Sequence, residues 1–138
     1  MTTDKLKVGD CLEPLVLQVT PEFNNQILES IGCRNLARYR EVVHPSILVG
    51  MSNLTRSPSY HLDEGVDAMH THDEIEFLRW VYVGETLTTN WVVEEIYHRR
   101  NKNWNDIIYQ VMSIVVLNAN NQEVIRRRMT YVYLRKDL

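Results

Sequence analysis

The sequence is poor in several features that would narrow its class. It holds only two cysteines, Cys11 and Cys33, which is too few for a disulfide framework. No apolar run approaches the roughly 20 residues that a membrane-spanning helix needs, and residues 1–10 are too polar for a signal peptide. Basic charge is not in excess, since the net charge is -3, and nucleic acid binding usually requires a basic face. These absences predict a reduced, cytoplasmic protein that binds neither nucleic acid nor membrane.

The remaining composition is that of a globular domain. Hydrophobic residues make up 44% of the chain and charged residues 24%, so a sizeable core is expected, and residues 1–138 are predicted to form one domain. The basic residues nevertheless occur in clusters, which suits either solvated strand ends and loops or contact with a phosphorylated ligand. These clusters are Arg34, Arg38 and Arg40; His98, Arg99, Arg100 and Lys102; and Arg126, Arg127 and Arg128.

The first helix has clear boundary signals. Residues 14–20 (PLVLQVT) are β-branched and apolar, which predicts a short strand. Thr20 suits the N-cap position and Pro21 the first helical position, so a helix is expected from there to about Ile31. Gly32 is predicted to close it.

A second helix is expected after a polar segment. Residues 33–43 are basic and are predicted to form a loop. The helix should then begin at Pro45 and end before Pro58. Since it is apolar around most of its circumference, it should be buried.

The second half of the chain is rich in β-forming residues. Strands are predicted at 70–78, 85–99, 106–118 and 123–134, with a turn at 118–122. Their short connections favour an antiparallel meander. Such a sheet needs its apolar face covered, and the helix that begins at Pro45 is the candidate. The element order therefore predicts an α+β hotdog fold, a long antiparallel β-sheet wrapped around a central α-helix.

The segment 70–88 (HTHDEIEFLRWVYVGETLT) resembles MaoC-like acyl-thioester proteins. It has that family's His, its E-hydrophobic-E-F strand, its Arg, its Gly-acid turn and its Leu-Thr strand start. The residues in those places are His70, Glu74, Glu76, Phe77, Arg79, Gly84, Glu85, Leu87 and Thr88. Trp80 replaces the family's usual Pro, which allows an extra ladder bond or a different bend. Residues 8–10 also resemble the beginning of the family's sequences, and residues 44–48 resemble the start of its central helix. The chain is most similar to the form of the family found as the N-terminal half of double-hotdog dehydratases.

The resemblance implies an enoyl-CoA hydratase or dehydratase, a lyase that needs no cofactor or metal and works as a dimer. Its substrate would be an α,β-unsaturated or 3-hydroxyacyl thioester of CoA or of a carrier protein. In the family an Asp and a His, in a loop after the first helix, serve as base and acid. The corresponding loop, 32–40, has neither residue, so this dyad is not carried over.

Other residues must then carry the site. His44 and Tyr39 are the candidate catalytic residues, because an imidazole titrates near neutral pH and His44 lies at the beginning of the central helix. A helix cap bonded to the backbone is the alternative for His44, and an exposed loop position is the alternative for Tyr39. The candidate substrate-binding residues are Arg38, Arg40, Ser46, His70 and His72. The last two are expected on one side of a strand, and without a third ligand they do not predict a metal site.

Three functions stay open from the sequence. The first is the hydratase or dehydratase itself. The second is a non-catalytic hotdog subunit that completes a heterodimer, and the third is a redeployed isomerase or cyclase with an apolar pocket. A thioesterase with an acid on the central helix is disfavoured, because residues 47–57 contain none.

Overall fold

The computed structural model describes residues 2–100 and 106–135, and Lys102 of the second basic cluster lies outside them. Over these described residues the chain forms one five-stranded antiparallel sheet and three helices, with short 3-10 turns at Thr3–Lys5 and Leu54–Arg56. The strands are β1 (Leu15–Gln18), β2 (Val66–Phe77), β3 (Thr86–Arg99), β4 (Asp106–Leu117) and β5 (Glu123–Arg135). The helices are α1 (Pro21–Ser30), α2 (Leu36–Tyr39) and α3 (Pro45–Met51). No described helix is long and apolar enough to cross a membrane.

The boundaries of α1 follow the local sequence signals. The Thr20 hydroxyl accepts a hydrogen bond from the backbone N–H of Phe23 at 3.2 Å, which satisfies one of the free donors of the first turn. At the other end Gly32 has a φ of +65°, and the Cys33 N–H donates to the carbonyl of Leu28 at 3.0 Å. This is the left-handed closure that glycine favours, and both predicted ends of the helix are confirmed.

The two other helices differ from the prediction. The predicted loop 33–43 contains the short helix α2, and α3 ends at Met51, well before Pro58. The helix ends early because Asn53 is extended and its side-chain oxygen accepts from the Thr55 N–H at 3.1 Å. Asn side chains compete in this way with helical hydrogen bonding, and the chain turns into a 3-10 segment instead.

The sheet order is β1-β3-β4-β5-β2. Strands β3, β4 and β5 form the predicted meander, but β2 pairs with β5 rather than with β3, so the four-strand meander was wrong. The connection after β2 runs past the beginning of α3 and carries the chain from one edge of the sheet towards the opposite edge, where β3 begins. There the Val43 N–H donates to the carbonyl of Val81 at 2.8 Å, and the Val83 N–H donates to that of Glu41 at 2.8 Å. These backbone hydrogen bonds hold the connection between β2 and β3 against the segment before α3, so the two strands do not form a hairpin.

The core lies on the concave face of the sheet. One cluster surrounds Trp91 and the other surrounds α3, whose Ile47, Leu48 and Met51 are buried. The Trp91 indole N–H donates to the carbonyl of Ser52 at 3.0 Å and thereby fixes the end of the helix on the sheet. Burial of these side chains, at roughly 25 cal/mol per Å² of apolar surface, is what holds the sheet around the helix. The predicted hotdog architecture is confirmed.

Candidate functional site

Three of the residues selected from the sequence meet at the beginning of α3. The Nδ1 atom of His44 accepts from the Ser46 N–H at 3.1 Å and lies 2.5 Å from the Ser46 hydroxyl. The imidazole packs against the Tyr39 ring, with centroids 4.5 Å apart. His44 is therefore the N-cap of α3, which is the alternative that the sequence left open. With Nδ1 accepting, a neutral His44 carries its proton on Nε2.

An apolar groove of about 410 Å³ lies beside this helix start. It is lined by Val43, Pro45, Leu48, Phe77, Leu78, Arg79, Trp80 and Val81. The Trp80 side chain is 60% exposed, which is unusual for a residue of this size, and the Arg38 guanidinium lies 5.0 Å from its ring centroid. Trp80 lies outside every strand, so it forms no extra ladder bond. The groove thus has an apolar floor and one arginine in its lining, Arg79, and a second arginine, Arg38, lies over the Trp80 ring.

Ser46 and Arg40 are not brought into this groove. Ser46 is exposed and lines a separate depression of about 340 Å³ on the α1 side of α3, together with Phe23 and Arg56. Arg40 is exposed at the end of α2. The predicted substrate-binding residues therefore occupy different surfaces.

The histidines of β2 do not share a face. The pairing register shifts between His70, which lies opposite Tyr131, and His72, which lies opposite Thr130. Since Tyr131 and Thr130 are adjacent on β5, they point to opposite sides of the sheet, and so do the two histidines. The cause is a β-bulge at Thr71 that sequence alternation cannot reveal. His70 faces the concave side, and the expectation of one shared side was wrong.

The bulge brings His70 next to a carboxylate and a buried arginine. The Nε2 atom of His70 lies 3.4 Å from Asp73 Oδ2 and 3.1 Å from the carbonyl of His72. Arg127 donates to both oxygens of Asp73, from Nε at 2.9 Å and from Nη2 at 2.5 Å. We call His70, Asp73 and Arg127 the imidazole–carboxylate cluster.

Arg127 is the buried anchor of this cluster. Its side chain is only 1% exposed, and its Nη1 donates to the Val49 carbonyl at 2.7 Å and to the Ser52 hydroxyl at 2.8 Å. A cation bonded to a carbonyl of the last turn also suits the helix dipole. Arg126 and Arg128 point the other way and form exposed ion pairs with glutamates, so this basic run is not one anionic-ligand site.

Tyr131 completes the surroundings of His70. The two rings are stacked, with centroids 5.1 Å apart and an angle of 1° between their planes. The Tyr131 hydroxyl donates to Asn53 Oδ1 at 2.9 Å, and burial raises the pKa of this phenol, which keeps it protonated. The His70 ring is thereby held parallel to the Tyr131 ring.

The sequence analysis missed Asp73 and Arg127 as functional candidates. Arg127 was grouped with its neighbours because three adjacent arginines read as one charged patch. Strand alternation is the signal that separates the middle arginine from the other two. Within residues 2–100 and 106–135, no three His, Cys, Asp or Glu side chains are placed to hold a metal ion.

Comparison by sequence finds no family model and no curated protein that matches this chain. Solved structures do match. A monoamine oxidase regulatory protein from Archaeoglobus fulgius is 13% identical, with 99% of this chain and 96% of that one covered and a TM-score of 0.76. The MaoC-like dehydratase from Rhodospirillum rubrum is 15% identical, with 100% and 99% covered and a TM-score of 0.63.

A third solved structure carries a ligand. It is a hypothetical thioesterase protein with coenzyme A from Streptococcus pneumoniae, 14% identical, with 95% of this chain and 84% of that one covered and a TM-score of 0.59. At such identities the likeness concerns the fold. It agrees with the resemblance seen in residues 70–88, and the chain has the hotdog fold in the form that MaoC-like proteins have.

Proposed function

We propose that this protein binds an acyl thioester of CoA or of a carrier protein and catalyses hydratase or dehydratase chemistry on it. The observation that carries the proposal is the apolar groove, with one arginine in its lining and a second beside it. An acyl thioester has an apolar chain at one end and phosphates at the other. In the groove Trp80 can contact the acyl chain and Arg79, which lines it, can attract the phosphates, with Arg38 beside them over the Trp80 ring.

The proposal includes a dimer. Strand β2 is an edge strand of 12 residues, and no described strand covers its outer side. An edge of this length presents unpaired backbone donors and acceptors that favour pairing with another sheet. A second copy of this chain, or another hotdog subunit, is the partner that fits. If the partner supplied all of the chemistry, this chain would be the non-catalytic subunit of the alternative hypothesis.

The helix entrance is the candidate place for the chemistry, and His44 and Tyr39 are the proposed catalytic residues there. Substrate contact is proposed for Arg38, Arg40, Ser46 and His70. His72 faces the convex side, which fits a substrate-binding role poorly.

Calorimetric titration with crotonyl-CoA and with crotonyl-pantetheine tests the binding proposal. Trp80→Ala should weaken both ligands by about tenfold, since an indole contributes on the order of 1–2 kcal/mol of apolar contact. Arg79→Ala should weaken only the CoA ester, because crotonyl-pantetheine lacks the phosphates. Tyr97→Ala is the matched control, because Tyr97 is an exposed aromatic of β3 that does not line the groove. Failure of the unaltered protein to bind either thioester contradicts the proposal.

A further inference from the structure

We infer that the bulge at Thr71 selects a second copy of this chain as the partner of β2 and fixes the register in which the two strands pair. In that register His70 of each copy lies opposite Asp73 of the partner subunit. The inference deepens the proposed function and rests on the dimer that it includes. Of the two partners left open there, it chooses the identical one.

The outer side of β2 is open to pairing. The strand is last in the sheet order, so none of the described strands covers that side. Edge strands are often protected by proline or lysine, and residues 66–77 contain neither. Met69 on this strand is 53% exposed, which is high for an apolar side chain. Only the bulge distinguishes β2 from an edge that any strand could join.

The bulge changes the phase of the side chains. Before Thr71 the even-numbered residues face the core, since Val66 and Ala68 pack against the cluster around Trp91. After Thr71 the odd-numbered residues do so, since Asp73 lies opposite Met129 and Ile75 packs against the α3 cluster. A regular strand laid along β2 would match the concave face on one side of the bulge and present the wrong face on the other. The bulge therefore excludes most partners.

A second copy of β2 removes this mismatch. A two-fold axis at the bulge sets the residues before Thr71 against the residues after it in the partner subunit. Both strands carry the extra residue at the same level, so the ladder continues with concave residues opposite concave residues. Among such registers, one pairs all 12 residues of the strand. It sets Val66 opposite Phe77 of the partner subunit, Ala68 opposite Ile75 of the partner subunit, and His70 opposite Asp73 of the partner subunit.

This register joins the imidazole–carboxylate clusters of the two copies at the axis. Side chains directly opposite each other in an antiparallel pair have Cβ atoms about 5 Å apart, so each imidazole meets a second carboxylate. The buried Arg127 of each copy already holds its own Asp73 through both oxygens, which limits repulsion between the two carboxylates. The cluster is thereby explained as part of an interface.

The same register brings the partner to the apolar groove. Phe77 lines the groove and is the last residue of β2. With Val66 of the partner subunit opposite Phe77, the beginning of the partner's β2 borders the groove on its open side. A ligand in the groove then contacts both copies, so thioester binding and dimer formation should strengthen each other.

Spin labels test the register. In a Cys11→Ser, Cys33→Ser background, Met69→Cys and Glu74→Cys each place one nitroxide per chain on the convex face, and dipolar EPR measures the distance between the two copies. Met69 of one copy lies opposite Glu74 of the other, so both variants should give the same distance, about 17 Å between Cα atoms at 3.3 Å per residue. Glu76→Cys should give about 30 Å. A slip of two residues would make the first two distances differ by about 13 Å.

A charge change tests the pairing without a label. The register sets Asp67 opposite Glu76 of the partner subunit, and like charges directly opposite each other are unfavourable. Asp67→Lys turns both such pairs into attractive ones and should lower the dimer Kd about fivefold in sedimentation equilibrium. Glu29→Lys is the matched control, since it makes the same charge change on exposed α1, away from β2, and should leave the Kd unchanged.

The outcomes separate this inference from the proposed function. Equal distances at positions 69 and 74, with a tighter Asp67→Lys dimer, support the inference. A protein that sediments as a monomer overturns it, and so does a dimer with unequal distances at 69 and 74 or an unchanged Kd for Asp67→Lys. Thioester binding is titrated separately: a correct register in a protein that binds no thioester leaves the inference standing and contradicts only the proposed function.

Discussion

Replacing Arg127 by methionine removes the buried guanidinium but keeps a long side chain. Four hydrogen bonds are lost, two to Asp73 and one each to Val49 and Ser52. Breaking a buried ion pair from one side costs about 3–5 kcal/mol, because the partner keeps its desolvation penalty. The Asp73 side chain is 24% exposed and can regain some water, so the lower end, about 3 kcal/mol, is expected.

Urea unfolding followed by circular dichroism measures this loss. The unfolding entropy is about 2.1 cal/mol/K per residue, so 3 kcal/mol corresponds to a Tm lower by about 10 °C for 138 residues. The slope of the urea transition should stay the same, since the fold and the buried surface are kept. A second variant, Arg127→Met with Asp73→Leu, should be less destabilised than the sum of the two single changes, because no charge is left unpaired.

Arg126→Met is the control for this prediction. Arg126 is adjacent in sequence but exposed, and its ion pair with Glu123 is solvated. Exposed pairs of this kind contribute little, so the midpoint should not move measurably. Equal effects at positions 126 and 127 would refute the assignment of Arg127 as a buried anchor.

Two further predictions concern local stability. Thr20→Ala should destabilise the protein by about 1 kcal/mol through loss of the α1 cap, measured as a shift in the urea midpoint, whereas Thr20→Ser should keep it. Burial raises the pKa of Tyr60 to about 12, so the native state holds this proton more tightly than the unfolded state, whose tyrosines titrate near 10. Stability should therefore fall between pH 10 and 12. The fall should be smaller in Tyr60→Phe, and an identical pH profile in the two proteins would contradict the assignment.

Local signals in the sequence were sufficient for the helix starts and the long strands. Thr20 with Pro21 and His44 with Pro45 mark helix N-termini by chemistry that acts over a few residues. Runs of β-branched and apolar residues likewise mark β3, β4 and β5; the alternation is clear in β3, which buries one side, and weaker in β4, where adjacent residues are buried. These features depend on neighbours in the chain and can be read from it.

The position of β2 could not be predicted in the same way. Its sequence is as strand-like as the others, but its partner is set by backbone bonds between segments 41–43 and 81–83 that direct the connection across the sheet. Which edge a strand joins depends on contacts between distant parts of the chain. Short connections alone therefore favoured the wrong neighbour.

The same distinction between local signals and distant contacts applies to the candidate site. By itself the sequence determined the fold class, the central helix and the absence of the family's Asp and His from residues 32–40. Only the tertiary structure decided that His70 and His72 face opposite sides, that Arg127 is buried while its neighbours are exposed, and that Asp73 lies between His70 and Arg127. The physical reason is a single extra residue in β2, whose effect on side-chain direction exists only once the strand is paired with β5.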